Sequence, residues 1–193
     1  MKNKIKFREG KIIEIFYAEK KGKNIPIIIR YPKRSDFRNV WKFFNKAIKE
    51  TEFLARVTPV PMKEEKKWLD DTIRKMKKND TVQLFAEHAG KIVGTSSIRR
   101  RDNQRHKHIG DFGIVILQEY TGVGIGNMLM LSTESQSKGM GLKMLQLSVY
   151  EGNKIAQNLY RKTDFIAAGK IPKAAKTRKG YDSEIFMYKV LKK

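Results

Sequence analysis

A strand, a glycine-rich turn and a helix follow one another over residues 109–138, and this succession restricts the possible folds more than any other feature. Ile109–Leu117 is rich in β-branched residues and predicts a strand, Thr121–Gly126 contains three glycines, and Asn127–Lys138 has a helical pattern. Glycines at such a junction let backbone N–H groups approach an anion, and the helix dipole favours negative charge there. The segment therefore predicts a pyrophosphate site.

Three familiar nucleotide-binding motifs fit this turn poorly. A P-loop requires a lysine directly after its last glycine, and Asn127 follows Gly126 here. A Rossmann turn has the spacing G-x-G-x-x-G near the start of a domain, whereas this turn has G-x-G-x-G two-thirds of the way along the chain. A kinase glycine-rich loop joins two strands. Considered alone, the turn is also compatible with a plain tight turn and helix cap.

The other hydrophobic patterns predict one α/β (α+β) sheet domain. Strand patterns at Lys11–Tyr17 and Ile25–Arg30 flank a charged turn and predict an N-terminal hairpin. We place a boundary so that residues 1–24 form an N-terminal β extension and residues 25–193 the main domain. Later strands are predicted at Val82–His88, Lys91–Arg99, Leu142–Val149, Phe165–Ala168 and Asp182–Leu191, with a helix at Lys154–Lys162, a plausible bulge at Gly110 or Gly113 and a mobile loop at Lys170–Gly180.

Two amphipathic helices are predicted between the hairpin and the later strands. Their apolar residues recur at helical spacing, as Phe37, Val40, Trp41, Phe44 and Ile48 in the first helix and Trp68, Leu69, Thr72, Ile73 and Met76 in the second. Both tryptophans lie on these stripes and are expected in the core. The second helix also carries Glu64, Glu65, Asp70 and Asp71, which could form a local acidic patch.

The chain contains no cysteine, and its basic surplus is unevenly distributed. Without cysteine there are no disulfides, thiolate metal sites or cysteine nucleophiles. The net charge is +22, but residues 101–150 carry 5 basic against 4 acidic residues, whereas residues 1–50 carry 15 against 5. A surplus of this size attracts polyanions such as nucleic acid, or is simply a solvated basic surface. The sequence has no apolar run of bilayer-spanning length and no signal core after its basic start, so we expect a cytoplasmic location and no membrane partner.

Two segments together resemble the GNAT N-acetyltransferase superfamily. The first is IGDFGIVILQEYTGVGIGNMLM, in which Gly124-Ile125-Gly126 match the glycine positions of the family signature. The second is SVYEGNKIAQNLYRKTDF, in which the matching residues are Asn153, Ala156, Leu159, Tyr160 and Phe165. The resemblance extends from about Ile25 to Leu191. It implies a mixed, mostly antiparallel twisted sheet of about seven strands flanked by four helices.

The resemblance implies an acetyl-CoA-dependent enzyme with direct transfer to a primary amine. The turn would hold the pyrophosphate, Asn153 would hydrogen-bond the cofactor arm, and Tyr160 would protonate the departing thiolate as general acid. The strand before the turn would pair its backbone with the pantetheine arm. The implied cofactor-binding residues are Ile114, Val115, Ile116, Thr121, Gly122, Val123, Gly124, Ile125, Gly126 and Asn153. No metal is implied. The acceptor could be a protein or peptide N-terminus, a lysine or a small amine.

The chain departs from the family pattern at three positions. Thr121 stands where the family has Arg or Gln, which predicts weaker cofactor binding, and Asp164 replaces the usual Gly before Phe165. Ser148 occupies the position of a glutamate base in some relatives. The first candidate for the general base is therefore Asp111, with Glu151 and Glu184 as second choices, although a hydrogen-bonded surface carboxylate is an equally good interpretation of Asp111.

Several other features leave alternatives open. The arginine run 99–101 could bind nucleic acid or the 3′-phosphate of CoA, or only water, and His106 with His108 lacks the further ligands that zinc requires. Tyr181 and the loop 53–62 are expected to border the acceptor site. The alternative function is a nucleic-acid- or ribosome-binding module on the same scaffold, and a homodimer is possible.

Overall fold

The computed structural model describes residues 7–178 and 180–191, which form eight strands and four α-helices. The strands are β1 (Ile12–Lys20), β2 (Lys23–Arg30), β3 (Thr81–His88), β4 (Lys91–Arg100), β5 (Ile109–Ile116), β6 (Met144–Tyr150), β7 (Ile166–Thr177) and β8 (Gly180–Val190). The helices are α1 (Phe37–Glu50), α2 (Met62–Lys77), α3 (Ile125–Lys138) and α4 (Lys154–Lys162). None of the described helices combines the length and apolarity needed to cross a membrane.

All eight strands lie in one sheet, in the order β1-β2-β3-β4-β5-β6-β8-β7. Neighbouring strands are antiparallel except for β5 and β6, which run parallel because α3 connects them. This arrangement confirms the mixed, mostly antiparallel sheet with four helices and an N-terminal hairpin.

Two hydrophobic cores lie on opposite faces of this sheet. Adjacent residues of a strand point to opposite faces, so Leu84 of β3 packs in the core beneath α3 while Phe85 packs in the core beneath α1 and α2. The same alternation in β5 places Ile114 against the first core and Val115 against the second. The two faces of β5 therefore contact two different hydrophobic cores.

The predicted bulge in β5 is wrong. The register of β4 and β5 runs from Gly94↔Ile116 to Arg100↔Gly110 without a bulge. Gly110 is required for packing instead, because a Cβ there would lie 2.6 Å from an Ile98 methyl group.

The segment expected to be a mobile loop is most of β7 and the beginning of β8, although residue 179 lies outside the described part of the chain. As an edge strand, β7 is solvent-exposed along most of its length, so it lacks the alternating apolar pattern by which a half-buried strand is recognised. Its pairing with β8 is also shifted between Ile171 and Ala175, beside Pro172, a residue that sheets admit at edges.

Candidate active site

β5 and β6 separate beyond Asp111. Their parallel register covers three residue pairs and ends at Asp111↔Gln146, whereas β5 continues to Ile116 and β6 to Tyr150. Each strand stays paired on its other side, β5 with β4 and β6 with β8. A wedge-shaped gap therefore opens in the middle of the sheet, with a backbone edge on each side.

Alternate residues of β5 direct their backbone groups into this gap. In an antiparallel pair, successive residues alternately bond to the partner strand and face away from it. The Leu117 N–H donates to the Val93 carbonyl at 3.0 Å. From this bond and the register, the backbone groups of the odd-numbered residues of β5 face β4 and hydrogen-bond to it. The N–H and C=O groups of Ile114 and Ile116 consequently face the gap. Val115 bonds to β4 and contributes to the cavity walls instead.

Glycines shape the turn between β5 and α3. Gly122 and Gly124 have φ angles of 77° and 89°, in the left-handed region that strains other residues. A Cβ at either position would have nothing within 4 Å, so backbone conformation, not space, requires glycine. At Gly126 the reason is packing, because a Cβ there would lie 3.1 Å from Leu159 and 3.2 Å from Ile116.

The turn presents a run of unused hydrogen-bond donors at the N-terminus of α3. The backbone N–H groups of residues 122–127 have no acceptor within the described chain. Clustered donors of this kind, at the positive end of a 14-residue helix, form an anion cradle.

Thr121 lies beside this cradle but does not add a donor to it. Its N–H and its hydroxyl both donate to the Gln118 carbonyl, at 3.1 and 2.8 Å. The side chain therefore stabilises the preceding turn, and the hydroxyl does not replace the longer polar side chain that the family has here.

A cavity of about 260 Å³, the first cavity, follows the gap. Its walls come from the end of α1 and the loop after it, from Ile114–Ile116, from Thr121 and from the start of α4. Asn153 lies in this wall as the N-cap of α4, and its Oδ1 accepts the Ala156 N–H at 3.1 Å. The side-chain amide nitrogen of Asn153 has no partner among the described residues and can donate into the cavity.

Tyr160 lies directly behind this wall. It packs edge-on against Phe112 of β5, with ring centroids 6.2 Å apart, and against Phe165 at 5.8 Å. Its residue exposure is 5%, and this burial raises the pKa of the phenol above its usual value of 10. Tyr160 therefore stays protonated at neutral pH. Leu159, one residue earlier, lines the first cavity, whereas Tyr160 lines neither of the two cavities described here.

The structure does not bring Asp111 together with these residues. Its Oδ1 accepts from Arg101 Nε at 3.1 Å and from Gln146 Nε2 at 2.8 Å, and Arg99 lies 4.0 Å from its other oxygen. Asp111 lines neither described cavity. Asp111 is therefore a hydrogen-bonded carboxylate between two guanidinium groups. Its charge partly neutralises the arginine run 99–101.

The second-choice carboxylates also lie outside both described cavities. Glu151 forms an ion pair with Lys170 at 3.1 Å, and hydrogen bonds from Ser183 and then Lys170 lower its pKa. Glu184 lies on β8, opposite Tyr150 of β6, and Ser148 is exposed on β6. Tyr181 is 67% exposed on the β7–β8 hairpin.

A second cavity, of about 440 Å³, lies on the α1–α2 side of β5. The loop predicted as a wall does border it, through Leu54, Arg56 and Val60. α1 adds Val40, Phe43 and Phe44, and α2 adds Glu64, Glu65 and Trp68. Trp68 is 40% exposed, so its predicted core position is wrong.

Glu65 is a residue of this cavity that the sequence analysis names only among the acidic residues of the second helix. It is 5% exposed, and it begins the buried face of α2 that continues through Leu69, Thr72, Ile73 and Met76. The signal was present, because Glu65 lies four residues before Leu69, on the apolar stripe. Since Glu64 pairs with Arg56, Asp70 with Arg34 and Asp71 with Lys75, the four acidic residues form no common patch.

Comparison with known proteins identifies the family. A sequence model of the Acetyltransferase (GNAT) family matches residues 43–165, which is more than half of the chain. The chain belongs to this family. It is an acetyl-CoA-dependent GNAT N-acetyltransferase.

Individual relatives agree with this assignment. The chain is 20% identical over 139 residues to an L-methionine sulfoximine/L-methionine sulfone acetyltransferase of Pseudomonas aeruginosa, covering 72% of this chain and 79% of that one. A GNAT acetyltransferase structure from Streptococcus pneumoniae superposes with a TM-score of 0.78 at 26% identity, over 86% of this chain and 99% of that one. A phosphinothricin acetyltransferase from Sinorhizobium meliloti, solved in complex with acetyl-CoA, has the same fold, with a TM-score of 0.76 at 16% identity over 86% and 88% of the chains.

The geometry of this GNAT chain fits acetyl-CoA at the gap. The unused N–H groups of residues 122–127 match the needs of a pyrophosphate, and the backbone groups of Ile114 and Ile116 match an amide-containing arm. Among the described residues, no three His, Asp or Glu side chains cluster to hold a metal ion.

Proposed function

We propose that this enzyme transfers the acetyl group to a primary amine, on a peptide N-terminus, a lysine or a small molecule, by direct attack on the thioester. One observation carries the proposal: the two cavities adjoin at β5, where Leu54, Ile114 and Val115 line both of them. An arm lying along the gap therefore ends beside an acceptor in the second cavity. The absence of cysteine supports direct transfer, because no thiol is available to carry the acetyl group.

The second cavity supports an acceptor with an apolar group near its amine. Its size, about 440 Å³, suits a small molecule or one terminal residue of a longer chain. Phe43, Phe44 and Trp68 provide aromatic surface, while Arg56 and Glu64 pair with one another at 2.9 Å. The named acceptors of two relatives, methionine sulfoximine or sulfone and phosphinothricin, are amino acids, which are primary amines of this size.

Each proposed site residue has one task in the transfer. The N–H groups of residues 122–127 hold the pyrophosphate, the Ile114 and Ile116 backbones pair with the pantetheine arm, and the Asn153 amide donates a hydrogen bond to it. The cofactor supplies an acetyl group already activated as a thioester. The amine nitrogen forms a C–N bond to the carbonyl carbon and loses one proton, while the C–S bond breaks and its electron pair stays on sulfur. Tyr160 donates the proton that this thiolate takes up, and the resulting phenolate regains a proton from solvent.

The experiment is a turnover assay across a panel of amines. Because the chain has no cysteine, a thiol reagent reports CoA release without background from the protein. We expect acetyl-CoA to raise the melting temperature, and amines with an apolar side group to stimulate CoA release more than polyamines, which the +22 charge repels. The variant Trp68→Ala should raise KM for the apolar amines without weakening acetyl-CoA binding.

If acetyl-CoA leaves the melting temperature unchanged and no amine stimulates CoA release, the proposal is wrong. Steep salt-dependent nucleic-acid binding in that case would favour the binding-module alternative.

A further inference from the structure

A buried carboxylate without a partner lies in the second cavity. Glu65 is 5% exposed, and no hydrogen bond or ion pair reaches its side chain from the described residues. Arg56, the nearby cation, is directed to Glu64 instead, with nitrogen–oxygen distances of 2.9 and 3.3 Å. Burying a carboxylate without a partner is costly, so the position calls for a reason beyond packing.

Glu65 lines the second cavity, and its carboxylate oxygens are not fully enclosed. Every fully enclosed side-chain nitrogen or oxygen of the described residues has a hydrogen-bond partner. Since the Glu65 oxygens have none, they retain contact with open space, and the residue lines the second cavity. An amine or a water molecule in this cavity is therefore accessible to the carboxylate.

The surroundings tune Glu65 to accept a proton near neutral pH. Burial, and then the charge of Glu64, raise its pKa to about 7, while Arg56 opposes the shift. A general base is most effective when its pKa lies near the working pH. The other elements contribute only uncharged residues to the lining of the cavity: Val40, Phe43 and Phe44 from α1, Gln83 from β3, Thr95 and Ser97 from β4, and Gly113, Ile114 and Val115 from β5.

We propose that Glu65 is the general base of the acetyl transfer, acting on the amine acceptor in the second cavity. The inference rests on the proposed function. As the amine nitrogen bonds to the carbonyl carbon, Glu65 takes the proton that the nitrogen loses, directly or through one water molecule. The C–S bond breaks in the same transfer, and the thiolate receives its proton from Tyr160, on the opposite side of β5. Glu65 then returns its proton to solvent.

The position of the second cavity makes this step possible. Both cavities are lined by Leu54, Ile114 and Val115. The gap and the second cavity therefore meet at this part of β5 and at the loop after α1. Asp111, the carboxylate predicted from the sequence, lies outside both cavities and already accepts two hydrogen bonds. Glu65 is free to accept one.

The test compares Glu65→Gln with Asp70→Asn, which removes an exposed carboxylate from the same helix outside the cavity. We expect Glu65→Gln to lower kcat by about 100-fold or more, within the range typical of general bases. In the wild type, kcat/KM should rise more steeply below pH 7 than above it. Glu65→Gln should lose this change of slope and keep only the ionisation of the amine. Asp70→Asn should keep both the rate and the profile.

Two further measurements separate this inference from the proposed function. Glu65→Gln should retain its acetyl-CoA-induced rise in melting temperature, which shows an intact cofactor site, and Glu65→Asp should retain the change of slope, because it keeps a carboxylate. A Glu65→Gln enzyme with wild-type kcat and an unchanged profile overturns the role of Glu65 while leaving the acetyl transfer in place. A wild-type enzyme that acetylates no amine overturns both.

Discussion

The two sides of β5 differ in the kind of atoms that form their sites. On the α3 side, the proposed cofactor site consists mainly of backbone: the N–H groups of residues 122–127, which have no acceptor in the described chain, and the edge groups of Ile114 and Ile116. On the α1–α2 side, the second cavity is formed by side chains, among them Glu65 and Trp68. A backbone site suits a cofactor that a whole family shares, and a side-chain site suits an acceptor that differs between members.

This difference also explains which residues tolerate change. A backbone cradle survives the loss of a neighbouring side chain, as at Thr121, where both polar groups serve the preceding turn. A side-chain site changes its chemistry with each substitution. The following variants test this contrast.

The largest effect is expected for Tyr160→Phe. Loss of the phenolic donor should lower kcat by about 100-fold. Acetyl-CoA affinity and stability should change little, because no side chain or backbone group of the described residues hydrogen-bonds to the buried hydroxyl. Steady-state kinetics and calorimetric titration with acetyl-CoA measure the two effects. The matched control is Tyr31→Phe, which removes a buried hydroxyl that donates to Gln136 at 2.6 Å. It should lower stability without changing kcat, and a wild-type rate in Tyr160→Phe would exclude the acid role.

Glu65→Gln should stabilise the protein at high pH. The pKa of Glu65 is raised from 4.5 to about 7 in the folded protein, so between these values the folded state holds a proton that the unfolded chain has lost. The contribution of Glu65 to the free energy of unfolding is therefore most favourable below pH 4.5, and it falls as the pH rises to about 7. At pH 8 the variant should gain up to about 3 kcal/mol in the free energy of unfolding, and almost nothing at pH 4. Urea denaturation at both pH values measures this, and equal gains at both would contradict the raised pKa.

Gly124→Ala should weaken acetyl-CoA binding about tenfold, since a side chain at φ 89° strains the turn by ~1–2 kcal/mol and turns its N–H groups away from the anion. Gly90→Ala provides the control, because Gly90 has a φ of 73° in the turn between β3 and β4 and lies outside both cavities. Both variants should lose similar stability, but only Gly124→Ala should lose affinity in a calorimetric titration. Equal affinities would show that the cradle is not the pyrophosphate site.

The smallest effect is expected for Asp111→Asn. Its ion pairs with Arg101 and Arg99 are partly exposed, so their loss should cost at most about 1 kcal/mol. We expect kcat within a few-fold of the wild type and an unchanged pH–rate profile. If the change of slope near pH 7 disappeared in this variant, the base would be Asp111 and the contrast between the two sides of β5 would need revision.

Much of the fold, and the strand, turn and helix that form the candidate cofactor site, could be predicted from local sequence. The glycine turn, the β-branched strand before it and the helix after it are consecutive, so their geometry follows from local preferences. Other features depended on distant segments. The sequence predicts a loop over Lys170–Gly180, where most of β7 lies, because an exposed edge strand lacks apolar alternation. It predicts a bulge at Gly110 because the crowding of this glycine by Ile98 and Leu142 arises from other elements. The helical spacing predicts a core position for Trp68. The apolar stripe is correct, but the side chain borders a cavity and is partly exposed.

The sequence by itself determined the family, predicted an anion site at the glycine turn and excluded a cysteine-linked intermediate, because these follow from residue types and their spacing. Only the tertiary structure decided how the carboxylates differ. Asp111, Glu151 and Glu65 are equivalent acids in the sequence, yet the fold gives the first two cationic partners and encloses the third without one. The electrostatic environment of a carboxylate is set by groups distant along the chain, so the assignment of a base awaited their arrangement in space.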